Sequence, residues 1–550
     1  MKIRELRCAD ILIKILEAEG VEFIFGHPGE QILPLYDAMR TSKIKHVLMR
    51  HEQGAAHAAD GYARSSGKFG VCISTAGPGA MNLVMGIATA YKDSVPLLVM
   101  TGDVPRDLKG KNTFQDVDIC GVLRPITIET FDVKNSEEAV FKLKKALKML
   151  KYGKTGPVHL NLPKDVLLET VSASVLEDTD EGAFCTRSVT RTPDLPPKID
   201  DNDVSRALEL LEGSKRPLIL AGAGVLWAGA QESLKHLVEN DRIPLVTTYP
   251  ARGVLPEDRP LCLGMLGLRG TDAANFAGGN CDVLLALGCR FSERTIKGIG
   301  NCSIIHVNLD EHVLEGDISI EGDVLDFINK LGDMIKSRGK FESTEKWIRK
   351  IQEHSRSYNL KTNYLDLPMK PQRAIKEIID ASEDSLLIND AGTHTTWVTL
   401  FKTVKEPASL IFSGGFGPMG YGVPASVGVT LANPDKSIVV VVGDGGFQMT
   451  LQELATIATL NLPVVVCIIN NSSLGIIKQW QDLYYGGRYA VELENPDFVK
   501  LAEAYNIDAV KVDSPGTVFK SVKKALKTRK PYLIEVVVDK DEGITLPGDN

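Results

Sequence analysis

A chain of 550 residues is too long for one hydrophobic core and is expected to divide into about three domains of ~150–200 residues. With 43% hydrophobic and 24% charged residues it has a globular composition, and a net charge of −8 offers no basic field for nucleic acid or an anionic membrane. Its nine cysteines form no C-x-x-C pair and several sit in apolar runs, which fits reduced, buried thiols better than a disulfide framework or a zinc site.

The first twenty residues are charged throughout and lack an apolar h-region, so no signal peptide is expected there. Cys8, Leu12, Ile15 and Leu16 make one helix face, with Gly20 as a natural stop. A short strand over 46–49 leads to Glu52 and a helix of small residues; a strand over 70–74 leads to a glycine-rich loop over 75–80. Residues 171–202 are polar, proline-bearing and aperiodic, a linker. AGAGVLWAGA follows a strand in the middle of the chain, but Trp227 stands where G-x-G-x-x-G needs its last glycine, so it is no true dinucleotide fingerprint. Residues 335–372 begin as a charged helical stretch and end in NYLDLPMKPQ, a second connector. Short β-branched runs alternate with helical patterns almost throughout. The expected fold is therefore α/β, three doubly wound parallel-sheet domains at 1–170, 200–335 and 372–540. No window approaches the ~20 apolar residues of a membrane span, and the cytoplasm is the expected location.

The clearest local pattern lies in the last unit: a buried strand over 437–442, a tight turn over 443–446, a helix over 450–460, and a strand over 464–469 ending at Asn470 and Asn471. A right-handed crossover makes the strands parallel and sets Asp444 and Asn471 at their carboxyl ends, where open α/β sheets bind ligands. Magnesium takes oxygen ligands in octahedral geometry, one or two of them carboxylates and others from phosphates. Asp444 offers the carboxylate, Asn471 an amide oxygen, and the main chain near Ser473 a carbonyl. Gly443, Gly445 and Gly446 let the backbone approach a diphosphate at the N-terminus of a helix.

With its strand context, this GDG…NN pattern resembles that of thiamine-diphosphate enzymes. The resemblance implies thiamine diphosphate held through Mg2+. It also implies that Glu52, in HEQGAAHAADGYAR, is the carboxyl group that hydrogen-bonds the pyrimidine ring and activates the cofactor. Met419, in GGFGPMGYGVPASVG, falls where the family bends the cofactor, and Gly392, Thr393 and His394 fall in its remaining diphosphate segment.

Beyond the asparagine pair, NNSSLGIIKQWQDLYYGGRY resembles the acetolactate synthase pattern, with Trp480 at the indole that shapes the site for a second 2-ketoacid. Phe114 and Gln115 resemble its substrate-facing F-Q-E segment, and Lys164 its lysine in L-P-K-D-V. The resemblance runs from Ala9 to about Val538. It implies decarboxylation of pyruvate and ligation of the two-carbon unit to a second pyruvate or 2-ketobutyrate, giving precursors of branched-chain amino acids. A related 2-ketoacid decarboxylase or ligase with another donor is the alternative. The family also implies FAD in the middle unit, where Gly222, Arg290 and Arg294 match its segments, although Ser292, Glu293 and Lys154 depart from them. A site built between two chains, hence a homodimer or homotetramer, and a separate small regulatory subunit are implied as well. Two further departures bear on substrate: Glu30 replaces a glycine in a loop near the reacting centre, and Asp103 replaces a glutamine.

Overall fold

A computed structural model of the protein describes residues 5–173, 196–338, 344–356 and 361–544. Most of the expected first linker, 174–195, lies outside the described residues. The chain packs into two compact units, one of residues 1–195 with 424–434 and 450–460, the other of 196–423 with 435–449 and 461–550.

In the first unit β1 (Glu5–Arg7) pairs antiparallel with β8 (Thr170–Ser172), while the remaining strands form one parallel sheet. These are β2 (Phe23–Gly26), β3 (Lys45–Leu48), β4 (Gly70–Ser74), β5 (Leu97–Asp103), β6 (Glu129–Asp132) and β7 (Pro157–Pro163), in the order β3-β2-β4-β5-β7-β6. The helix Cys8–Ala18 buries Cys8, Leu12, Ile15 and Leu16 against this sheet's core and ends before Gly20, whose φ of 80° is left-handed.

The second unit holds two six-stranded parallel sheets. One is built from β9 (Pro217–Ala221), β10 (Leu245–Thr247), β11 (Cys262–Met265), β12 (Val283–Leu287), β13 (Ser303–Asn308) and β14 (Ile318–Glu321), in the order β11-β10-β9-β12-β13-β14. The other is built from β15 (Leu386–Asn389), β16 (Leu410–Ile411), β17 (Ile438–Gly443), β18 (Val464–Asn470), β19 (Asp508–Val512) and β20 (Tyr532–Val537), in the order β16-β15-β17-β18-β20-β19. Val439, Val440, Val441 and Val442 are wholly buried in β17, each worth about 1.5–3 kcal/mol relative to exposure, which fixes this strand at the sheet's centre. Arg252 joins the two sheets: it pairs with Glu257 and donates to the carbonyls of Thr399 and Lys402, so each nitrogen of the buried guanidinium has a partner.

The fold departs from the sequence pattern in three places. The expected turn over 443–446 is absent, because β17 runs through Gly443 and a helix, Asp444–Thr450, starts at the next residue. The helix expected over 450–460 is broken: Thr450, at φ −141° and ψ 19°, leaves the helical region, and a 3-10 turn, Leu451–Glu453, precedes the helix Leu454–Thr459. The stretch after 335 is not merely a connector, since the helix Glu345–Arg356 buries Trp347 and Ile351 in the core beside β9, with the indole N–H on the Pro217 carbonyl.

The eight described cysteines are free, seven of them buried. Among the described residues no helix is long and apolar enough to cross a membrane.

Candidate functional site

Each sheet has a point where successive connections leave in opposite directions, and in such sheets the crevice at the strands' carboxyl ends takes the ligand. In the sheet of β15–β20 that point lies between β15 and β17. Gly443 pairs with Ile469, so Asp444 follows β17 alongside Asn470 and Asn471 at the end of β18. Asp444 is 2% exposed, and burial raises its carboxyl against the pull of Asn495 and nearby N–H groups. The Asn495 amide donates to Asp444 Oδ2 at 2.7 Å and to Asn470 Oδ1 at 3.0 Å, aligning both strand ends. Asn471 Oδ1 accepts from the Ser473 N–H at 3.2 Å, and the Ser473 hydroxyl is buried with no hydrogen-bond partner among the described residues. One carboxylate, one amide oxygen and main-chain carbonyls are the hard-oxygen set a magnesium ion shares with a diphosphate.

The other expected residues of this sheet gather at the same point. A Cβ placed on Gly445 would lie 3.3 Å from Met419 Cε, and one on Gly446 would lie 3.3 Å from Asp390 Oδ1. Gly443 faces the His394 ring, Gly392 leaves no room for any side chain beside that ring, and Thr393 lies against Gly475 next to Asn471. His394 is held neutral by burial, its pKa lowered to about 4, and its Nε2 is buried without a hydrogen-bond partner among the described residues. An unmatched ring nitrogen in a crevice floored by glycines is what a polar ligand would complete. Trp480 lies farther along, on the helix Gly475–Tyr484, and is 47% exposed. Its neighbours Gln479 and Gln481 are tied to the main chain of Ile544 and Tyr489.

In the first unit the switch point lies between β2 and β4. Thr75, just past β4, accepts a hydrogen bond from the Gln31 N–H, and Gly29 packs directly on its side chain. Glu52 opens the helix Glu52–Ser66, is 8% exposed, and accepts from Asn82 at 2.9 Å; its Oε1 faces Gly79, which itself packs on Thr75. Gln115 sits at φ 65° with Gly77 against its main chain, and its side-chain oxygen is buried without a hydrogen-bond partner among the described residues. Lys164, the first residue after β7, pairs with Glu30 at 3.0 Å. Asp103 accepts from the Asn161 amide and the Lys109 ammonium, so its carboxylate is already matched.

In the sheet of β9–β14 the space beside Gly222 is taken by the main chain of Gly288 and Cys289, 2.3–2.5 Å from where its Cβ would be. Arg290 and Arg294 are exposed. Leu268 N–H bonds the Arg294 carbonyl, folding the Gly267–Gly270 turn onto that segment. Arg269, on this turn, has its pKa lowered to about 10 by burial and by Arg294, and makes no ion pair among the described residues. Unpaired guanidinium groups on touching segments favour an anion.

Three stretches match thiamine pyrophosphate enzymes: the N-terminal TPP binding domain over 6–122, the central domain over 204–331 and the C-terminal TPP binding domain over 390–536. A probable acetolactate synthase large subunit of Methanocaldococcus jannaschii is 42% identical over 98% of this chain and 93% of its own length. The chain belongs to the acetolactate synthase large-subunit family of thiamine pyrophosphate enzymes. Large subunits of Lactococcus lactis and Porphyra purpurea are each 37% identical, covering 98% and 96% of the chain and 93% and 92% of their own lengths. Within the family frame, Glu52 and Gln115 fall in the N-terminal match, Gly222 and Arg290 in the central one, and Asp444, Asn471, Met419 and Trp480 in the C-terminal one.

Four residues at these sites were not found from sequence. Asp390 is wholly buried and accepts N–H bonds from Ala391, Gly420 and Gly422, so it orders both the Gly392 loop and the Met419 turn; burial still pushes it up to about 6. Asn495 orders the ends of β17 and β18 from a distant loop. Glu453, in the first unit, takes the N–H groups of Arg50 and His51 ahead of the Glu52 helix. Gln31 is 6% exposed, its side-chain oxygen without a hydrogen-bond partner among the described residues. Only Asp390 had a local signal, its place beside the glycine of NDAG.

Proposed function

We propose that this chain is a carboligase of the acetolactate synthase type, acting on pyruvate and transferring a hydroxyethyl unit to a second pyruvate or to 2-ketobutyrate. The reaction would serve isoleucine and valine formation in the cytoplasm. The observation that carries the reading is the meeting of Met419 with Gly445 beside Asp444 and Asn471, a floor that would seat a bent cofactor on a metal-bound diphosphate. In this reading Asp444, Asn471 and the Ser473 main chain hold Mg2+, while Gly392, Thr393, His394 and Gly443–Gly446 hold the diphosphate. Thiamine diphosphate, when bound, supplies the electron sink for decarboxylation. Glu52 keeps a proton at the pyrimidine ring, Gln115 and Lys164 receive the ketoacid, and Trp480 borders the acceptor. FAD is assigned to the β9–β14 sheet, with Arg269, Arg290 and Arg294 for its phosphates. The domain division is 1–170, 200–335 and 372–540. The working form is a homodimer or homotetramer with a small regulatory subunit, as the large-subunit names of its relatives imply.

The test is incubation of the purified protein with pyruvate, thiamine diphosphate and Mg2+ and identification of the product. Acetolactate is expected; cofactor binding without acetolactate would reject the reading. Glu30 favours a second reading, a related decarboxylase or ligase with another donor, which carbon dioxide release from a panel of 2-ketoacids would reveal.

A further inference from the structure

The crevice at the β2–β4 switch point carries a charge arrangement that the proposed reaction does not call for. Glu30 opens the 3-10 turn Glu30–Ile32, and its carboxylate lies 3.0 Å from the Lys164 ammonium. The neighbouring Gln31 is held from both sides: its N–H bonds Thr75 Oγ1, and its main chain packs on Gly102, where a Cβ would come within 2.9 Å. Glu30 therefore stands on a rigid turn, not on a free loop. The same turn reaches Glu52 through Thr75 and Gly79. Gln31, 6% exposed, buries a side-chain oxygen with no hydrogen-bond partner among the described residues, and Gln115 Oε1 is in the same state. The ion pair is thus anchored on a turn that leads to Glu52, where a ketoacid carboxylate on Lys164 would meet it.

We infer that Glu30 is a specificity-determining residue, a charge filter that admits small monoanionic 2-ketoacids and excludes those with a second carboxylate. The inference rests on the carboligase reading and deepens it. A lone ammonium at position 164 would attract mono- and dicarboxylates alike, the dianion more strongly. Paired with Glu30, which is 60% exposed, it presents a nearly neutral face carrying an accessible negative edge. A ketoacid must share Lys164 with Glu30, and a second carboxylate on the substrate adds like-charge repulsion against Glu30.

The experiment compares the wild-type enzyme, loaded with thiamine diphosphate and Mg2+, with Glu30→Gln, which keeps the shape and removes the charge. The KM for pyruvate is expected to fall threefold or more with kcat within twofold. Inhibition of pyruvate turnover by 2-oxoglutarate is expected to strengthen at least tenfold. Both constants staying within twofold, or a change in kcat alone, would overturn the filter. If the wild type makes no acetolactate, the carboligase reading fails by itself. Calorimetric binding of pyruvate and 2-oxoglutarate to the two loaded proteins then decides the filter: a larger gain for 2-oxoglutarate upholds it, and equal affinities overturn it.

Discussion

Glu52 opens its helix with one carboxylate oxygen on Asn82 and the other toward Gly79, so its charge and its hydrogen can be altered separately from its position. Glu52→Gln is expected to lower carboligase turnover ~100-fold or more, the scale of general acid–base catalysis, while calorimetry shows cofactor affinity little changed. Unchanged turnover would remove the catalytic assignment. Glu453 positions this helix by accepting the N–H groups of Arg50 and His51, and Gly54 leaves space for its carboxylate. Glu453→Gln keeps the shape but weakens the anionic cap. The expected result is slower exchange of the thiazolium proton of bound thiamine diphosphate, read by NMR, with an unchanged KM for pyruvate; a shift in KM alone would contradict a positioning role. The helix that Glu52 opens was legible because a run of small residues follows it. Glu453 and Asn495 were not, since each acts on a strand or helix end far away in sequence and has no local periodicity.

At the scale of elements, the helix Glu52–Ser66 meets the 424–434 segment backbone to backbone. A Cβ on Gly428 would lie 1.8 Å from the Ala58 carbonyl oxygen, and one on Gly61 would lie 2.4 Å from that of Ala425. No rotamer change relieves contact with main chain, so Gly428→Ala is expected to destabilise by about 3 kcal/mol and lower Tm by several degrees. An unchanged Tm would show that the two segments separate easily. Strands such as β4 and β17 could be read from sequence because they are buried almost throughout and rich in β-branched residues. The sharp entry into the Asp444 helix could not, because glycines around an aspartate look like a turn whether or not a helix follows at once. The break at Thr450 escaped for a similar reason: the apolar spacing continues across it while the backbone does not.

For the whole molecule, burial lowers the pKa of five histidines among the described residues: His46 and His394 to about 4, His57 and His159 to about 3, and His306 in the same direction. Unfolding lets each bind a proton below its ordinary value near 6.5, so the unfolded state gains protons and stability falls as pH drops from ~6.5 toward ~4. Each histidine contributes up to ~1.4 kcal/mol per pH unit in that window. Asp390, pushed up to about 6, and Asp444 and Glu453, also raised by burial, act the other way over part of it. Thermal melts of the cofactor-free protein should show Tm falling steeply below pH 6.5; a flat or rising Tm toward pH 5 would contradict the burial of these rings. The most direct test of the account is calorimetric titration of thiamine diphosphate with and without Mg2+, for the wild type and Asp444→Asn. Tight binding by the wild type with Mg2+ is expected, with a loss of about two orders of magnitude in affinity on chelation or substitution. Equal affinity without the cation, or undiminished affinity in Asp444→Asn, would contradict it.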